Sequence, residues 1–135
     1  MNLTHKLKKP ADFVFAHLTD MQKFAAVHPV IYKINRLDGN TYLIFEKLKI
    51  GFIPYSFTYT ATVESHSANK MVLLRANVMN RATIEMHFAI KASGSGCIVS
   101  ETITFKSALP VKAIMKPVFR KQHTRLFLNI EQAAQ

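Results

Sequence analysis

Tryptophan is missing from this chain, cysteine occurs once, glycine four times and proline five times, and acidic residues number only eight. Each scarcity excludes something. The one thiol, Cys97, can form neither an internal disulfide nor a cysteine metal cluster, and it suits a reducing compartment. Sparse glycine and proline, with no repeat and no low-complexity tract, set aside fibrous and disordered classes. Apolar runs fall far short of the ~20 residues that a membrane helix needs. The opening MNLTHKLKKPAD has no apolar signal core, so a cytoplasmic chain is expected.

The shortage of acids leaves eighteen Lys and Arg unbalanced, for a formal net charge of +10. Such a balance suits an anionic partner, whether nucleic acid, an anionic membrane surface or an acidic ligand, or else serves solubility alone. Apolar residues make up 49% and charged residues 19%, a globular make-up. No linker interrupts the chain, and residues 1–135 read as one domain, long enough to bury a core without staples.

Periodicity divides the chain into elements. Leu3, His5 and Leu7 alternate with Thr4, Lys6 and Lys8, which predicts a short half-buried strand. Pro10-Ala11-Asp12 opens a helix carrying Phe13, Val14, Phe15 and Leu18. Thr19 or Asp20 can cap a second short helix over Met21 to Val27, and Pro29 ends it at His28. Strand texture follows: Val30–Leu37, Thr41–Lys49, Tyr55–Ser65, Met71–Met79, Arg81–Lys91 and Cys97–Lys106. The breaks are turn-like, namely Asp38-Gly39-Asn40, Gly51 to Pro54, His66 to Lys70, Asn80 and Ser93 to Gly96. Six strands on tight turns make an antiparallel meander with one apolar face. Leu109 to Gln132 then reads as one long helix, with Met115, Phe119, Gln122, Leu126 and Asn129 in a stripe and Val111 and Val118 beside it. That helix is the expected cover of the apolar face.

The segments PADFVFAHLTDMQKFAAVHP and LPVKAIMKPVFRKQHTRLFLNIEQ resemble the opening and closing segments of the START-like helix-grip superfamily (SRPBCC). That superfamily includes polyketide cyclase/dehydrase-like and lipid-transport proteins. The likeness runs through the whole chain, mainly in the order of elements, and Val27 stands where a tryptophan is usual before His-Pro. The resemblance implies an α+β helix-grip fold. A strongly curved seven-stranded antiparallel sheet wraps a long C-terminal helix, and two short helices follow the first strand. It also implies that the first strand pairs with the last. The superfamily hosts binders, cyclases, chaperone regulators and oxygenase domains, so fold alone does not give activity.

In that arrangement Tyr55, Phe57, Tyr59, Ile84, Met86, Phe88, Val99 and Ile103 face inward, and Met115, Val118, Gln122 and Leu126 meet them from the helix. This set suits either a ligand cavity or a packed core. Two polar residues stand in apolar phase. Glu101 lies in step with Val99 and Ile103, and His5 with Leu3 and Leu7. Pairing Leu3 with Ile103 and Leu7 with Val99 puts His5 opposite Glu101. A buried carboxylate needs such a partner. The pair could anchor a ligand, act as an acid/base dyad, or form a structural hydrogen bond under the helix. Gln122 and Asn129 on the helix have the same choice between a ligand and a backbone group.

The apolar tip Ile50-Gly51-Phe52-Ile53-Pro54, between Lys47 and Lys49, is either a gate or membrane contact, or else folds back on the N-terminal helices. His17, His28, His66, His87 and His123 have no metal-ligand spacing with one another, and neither a phosphate loop nor a nucleophile elbow occurs. No metal or cofactor is therefore expected. Glu85 and His87 read as surface. The leading expectation is a non-catalytic carrier or sensor of a hydrophobic or amphipathic small molecule. The alternative is a cyclase/dehydratase-type enzyme using His5 and Glu101. Lys112, Lys116 and Arg120 form a basic flank suited to an anionic membrane, or simply a solvated face. The lack of an aromatic-basic signature argues against a nucleic-acid partner, and homo-oligomerisation is left open.

Overall fold

The computed structural model describes residues 1–78, 82–107 and 112–134, without the side chains of Ile50 and Lys112. The elements run β1 (Asn2–Leu7), α1 (Ala11–Thr19), α2 (Met21–Val27), β2 (Ile31–Asp38), β3 (Thr41–Ile50), β4 (Ile53–His66), β5 (Met71–Val78), β6 (Ala82–Ser93), β7 (Gly96–Ser107) and α3 (Lys112–Gln132). The expected start of the long helix at Leu109, its Val111, the turn at Asn80 and the strand ends Met79 and Arg81 lie outside the described residues.

All seven strands join one antiparallel sheet in the order β1-β7-β6-β5-β4-β3-β2. The chain meanders from β2 to β7, and β1 closes on β7. Local chemistry sets the joints. Asp20 caps α2 by accepting from the Gln22 and Lys23 amides at 3.0 and 3.3 Å. Ser93 pairs with Gly96 around a two-residue turn in which Gly94 takes φ +60°, at no steric cost to glycine.

The β1–β7 register differs from the sequence expectation by two residues. Leu3 pairs with Glu101, His5 with Val99 and Leu7 with Cys97. Gly96 makes this possible, because a Cβ at that position would lie 2.1 Å from the Leu7 carbonyl oxygen. The Met1 amino group also donates to the Ile103 carbonyl at 2.8 Å, and Ile103 N–H donates to the Met1 carbonyl at 2.8 Å. An even shift keeps every side chain on its expected face, so His5 and Glu101 still point to the same side.

The core concentrates where α3 crosses the β1, β7 and β6 side of the sheet. Phe88, Val99, Ile103, Leu126 and Ile130 are almost wholly buried there, and Val14 and Leu18 of α1 complete that core. The second half of α3 is tied down at two points. Asn129 Nδ2 donates to the Val27 carbonyl at 2.8 Å, and Glu131 accepts from the Lys8 amide at 2.8 Å. Asn129 thus takes the backbone-bonding role among the two expected for it. The first half of α3 is different: Ile114, Lys116, Pro117 and Arg120 are exposed. The β3–β4 tip does not fold back on the N-terminal helices. Phe52 is fully exposed and Ile53 more than half so.

Candidate functional site

Where the first half of α3 stands away from β3–β6, the molecule holds a cavity of about 230 Å³. Its wall is mainly apolar, from Phe24 of α2 and Ile31 of β2 through Ile44, Phe57, Leu74 and Met86 on the sheet to Met115 and Phe119 on α3. Five polar side chains interrupt this wall well inside: His28, Glu46, Tyr59, Gln122 and His123.

The expected lining is divided. Phe57, Tyr59, Ile84, Met86, Met115 and Gln122 line the cavity. Tyr55, Phe88, Val99, Glu101, Val118 and Leu126 do not, so their expected place in the wall is corrected. Tyr55 shares the face of Phe57 and Tyr59 but lies nearer the β3–β4 tip, where it is 46% exposed. Phe88, Val99 and Leu126 are consumed in the solid core, and Val118 stays half-buried outside the cavity.

His5 and Glu101 do meet, with Nε2 to Oε1 at 3.2 Å. Neither lines the cavity. A residue the periodicity should have marked stands between: His123, four after Phe119 and three before Leu126, on the buried stripe of α3. Its Nδ1 bonds the other Glu101 oxygen. The carboxylate is thereby held by two imidazoles, one from β1 and one from α3. Phe127 stacks on His5 at 4.1 Å, and Phe88 and Phe119 pack around the His123 ring. Burial pushes the Glu101 carboxyl upward, but hydrogen bonds from His123 and His5 and the electrostatic pull of those rings outweigh it, holding it below the usual carboxylate range. Of these three residues only His123 reaches the cavity wall.

A second buried carboxylate was missed. Glu46 stands in phase with Ile44 and Leu48, the same signal that singled out Glu101. It accepts a hydrogen bond from Tyr59 Oη at 2.7 Å. Burial raises its carboxyl above the ordinary value, against the opposing Tyr59 bond and the charge of His123. The Tyr59 phenol is pushed well above its usual value by burial and by the neighbouring Glu46.

His28 is the third feature sequence reasoning passed over, having read it as the end of α2 and as a histidine without metal-ligand spacing. Its Nδ1 accepts from the Val30 and Ile31 amides at 3.2 and 3.1 Å, which fixes the ring at the start of β2. Burial, and then the charge of His123, lower its pKa to about 3, so the ring is neutral at physiological pH. Since Nδ1 is an acceptor, the ring proton resides on Nε2. No group of three or more His, Cys, Asp and Glu among the described residues could hold a metal ion.

A seven-stranded curved sheet closing on a long helix, with a cavity between them, is the helix-grip fold of START-like proteins. Solved structures show the same architecture. The chain is similar to the protein whose crystal structure is that of Ara h 8.0201, with a TM-score of 0.77 at 13% identity over 97% of this chain and 93% of that one. It is similar to a START superfamily protein from Mycobacterium smegmatis, with a TM-score of 0.75 at 14% identity over 97% and 93%. It also resembles the Zhui aromatase/cyclase from Streptomyces sp. R1128, with a TM-score of 0.73 at 12% identity over 97% and 90%. No protein-family model matches the chain, and no curated protein matches it in sequence. At these identities the likeness is one of fold.

Proposed function

We propose that this protein binds a hydrophobic or amphipathic small molecule between the sheet and α3, as a carrier or sensor. The carrying observation is the cavity itself, about 230 Å³ with a mostly apolar wall and a few buried polar groups. That is the make-up of a ligand site. Its size suits a small guest. An apolar cavity of about 150 Å³ takes up benzene, so this one accommodates a molecule of one to two rings or a short chain. Native mass spectrometry of the gently purified protein is expected to reveal a small-molecule adduct, or uptake of added naphthalene. A protein that carries no adduct and takes up no naphthalene overturns the proposal.

A second reading has one observation in its favour. His123 lines the cavity while its Nδ1 is held by a buried carboxylate, the arrangement that orients an imidazole for general-base work. A cyclase/dehydratase-type activity would therefore run through His123, with Glu101 and His5 as positioning residues. The carrier reading stands first because it needs only the cavity.

The +10 charge and the exposed Lys116 and Arg120 support ligand exchange at an anionic membrane surface. The buried thiol of Cys97 supports a reducing, cytoplasmic setting. No helix among the described residues is long and apolar enough to cross a membrane.

A further inference from the structure

The polar groups of the cavity are arranged as a reading site and not as scattered intruders. His28 and Glu46 come together through the backbone. Ile31 and Glu46 are register partners across β2 and β3, and His28 Nδ1 is bonded to the Ile31 amide at 3.1 Å. The His28 ring is therefore held against the residue that faces Glu46. His28, Glu46 and His123 all line the one cavity.

The two groups offer opposite halves of a hydrogen bond. His28 lines the cavity with its proton on Nε2, and that nitrogen has no partner among the described residues. It is a donor only. Glu46 spends one carboxylate oxygen on Tyr59 Oη, and its other oxygen has no partner among the described residues. The free oxygen is an acceptor with capacity to spare. One donor and one acceptor in the same apolar wall complement a hydroxyl, which accepts and donates at a single atom.

The same wall disfavours an anion. Glu46 presents a carboxyl oxygen to the site, and burial keeps His28 neutral. Lys106 is the one Lys or Arg among the described lining residues, and it is mostly exposed and ion-paired with Glu85 at 3.2 Å. A fatty-acid carboxylate would enter beside the Glu46 carboxyl with no buried Lys or Arg among the described lining residues to meet it, and the His123 ring is already engaged by Glu101.

We propose that His28 and Glu46 form a hydroxyl-recognition site, and that the ligand is a neutral, one- or two-ring apolar alcohol or phenol and not an organic acid. This rests on the reading of the cavity as a ligand site. It extends that reading by naming the ligand's polar group and the two residues that select it.

Four probes of one shape decide it: naphthalene, 2-naphthol, 2-methoxynaphthalene and 2-naphthoate, titrated into the protein at neutral pH by calorimetry or ligand fluorescence. Two added hydrogen bonds predict that 2-naphthol binds about tenfold tighter than naphthalene or more. The methoxy compound can accept from His28 but cannot donate to Glu46, so it is expected to fall well short of the naphthol. The naphthoate is expected to bind no better than naphthalene. Glu46→Gln should bring naphthol to within about threefold of naphthalene, with naphthalene itself unchanged. If that variant does not fold, the four probes on the unaltered chain decide the matter alone. Equal binding of naphthalene and naphthol, or tightest binding of naphthoate, overturns the hydroxyl site while leaving the cavity a ligand site. No binding of any probe overturns both.

Discussion

His28 contributes a pH dependence whose sign is fixed by its burial. Its folded-state pKa, about 3, lies below the ordinary 6.5, so between those values the unfolded chain binds a proton that the folded chain refuses. Stability from this residue is full above pH 6.5 and falls as pH drops toward 3, by on the order of 4 kcal/mol at the end of the window. Glu101 adds to the loss lower down. Its pKa is depressed, so its contribution is present above the unfolded carboxylate value and disappears as pH falls through the folded one. Glu46 acts the other way: its raised pKa favours the folded state in acid, and that advantage fades as pH rises through the folded value. Replacing His28 by Asn, which keeps a side-chain acceptor for the Val30 and Ile31 amides, is expected to flatten the melting-temperature profile between pH 6.5 and pH 4. An unchanged slope would show that the ring is not held neutral. His28→Asn also withdraws the donor from the Nε2 position proposed for ligand hydroxyls, because the shorter amide does not reach it, so its naphthol affinity should fall toward that of naphthalene.

Legibility at this scale followed a simple rule. Glu101 and His5 were found because a polar residue in apolar phase along a strand is visible in sequence. Glu46 obeys the same rule between Ile44 and Leu48 and was open to the same inference. His123 was visible by helical spacing, but its partner lies 22 residues away on another element, which spacing does not reveal. His28 could not have been read this way. The direction of its ring depends on two backbone amides in the following turn.

Among the elements, the β1–β7 pairing is the joint most exposed to a single change. Gly96 lies so close to the Leu7 carbonyl that any Cβ would require the strands to part. Gly96→Ala is expected to destabilise the fold by about 1–3 kcal/mol, the usual cost of forced overpacking, measured by denaturant unfolding. It should also weaken the His5–Glu101 contact, since β1 carries His5. Loss of less than about 0.5 kcal/mol, the usual size of a neutral surface substitution, would mean that β1 shifts to the alternative register instead. That alternative, offset by two residues, is the one sequence phase suggested. Alternation fixes only parity, and the choice between registers of equal parity fell to Gly96 and to the Met1 amino group bonded at Ile103.

At the scale of the whole molecule, charge and exposed apolar surface bear on the proposed exchange at an anionic membrane. Phe52 and Ile53 project from the β3–β4 tip beside Lys47 and Lys49, and Ile114 and Lys116 are exposed on the first half of α3. An anionic bilayer would receive both features, with about 1 kcal/mol for each lysine near its surface. Sedimentation with vesicles of mixed phosphatidylcholine and phosphatidylserine should pull the protein down at low salt and release it as salt rises. Phe52→Ser should lower vesicle binding several-fold without altering the melting temperature, since the side chain is fully exposed. Equal partitioning onto neutral vesicles, or no partitioning at all, would remove the membrane from the account.

Sequence by itself determined the elements and their order. Periods of 2.0 and 3.6 in the apolar pattern, together with turn residues, are local properties that each segment carries alone. It also determined the net charge, and it placed a carboxylate and an imidazole on one face of paired strands. Tertiary structure decided the register of β1, the division of the apolar face between solid core and cavity, and the company each polar group keeps. Those depend on how far α3 stands from each strand and on which distant residues meet there. Periodicity says which face a side chain is on, and only packing says whether that face meets a neighbour or an empty space.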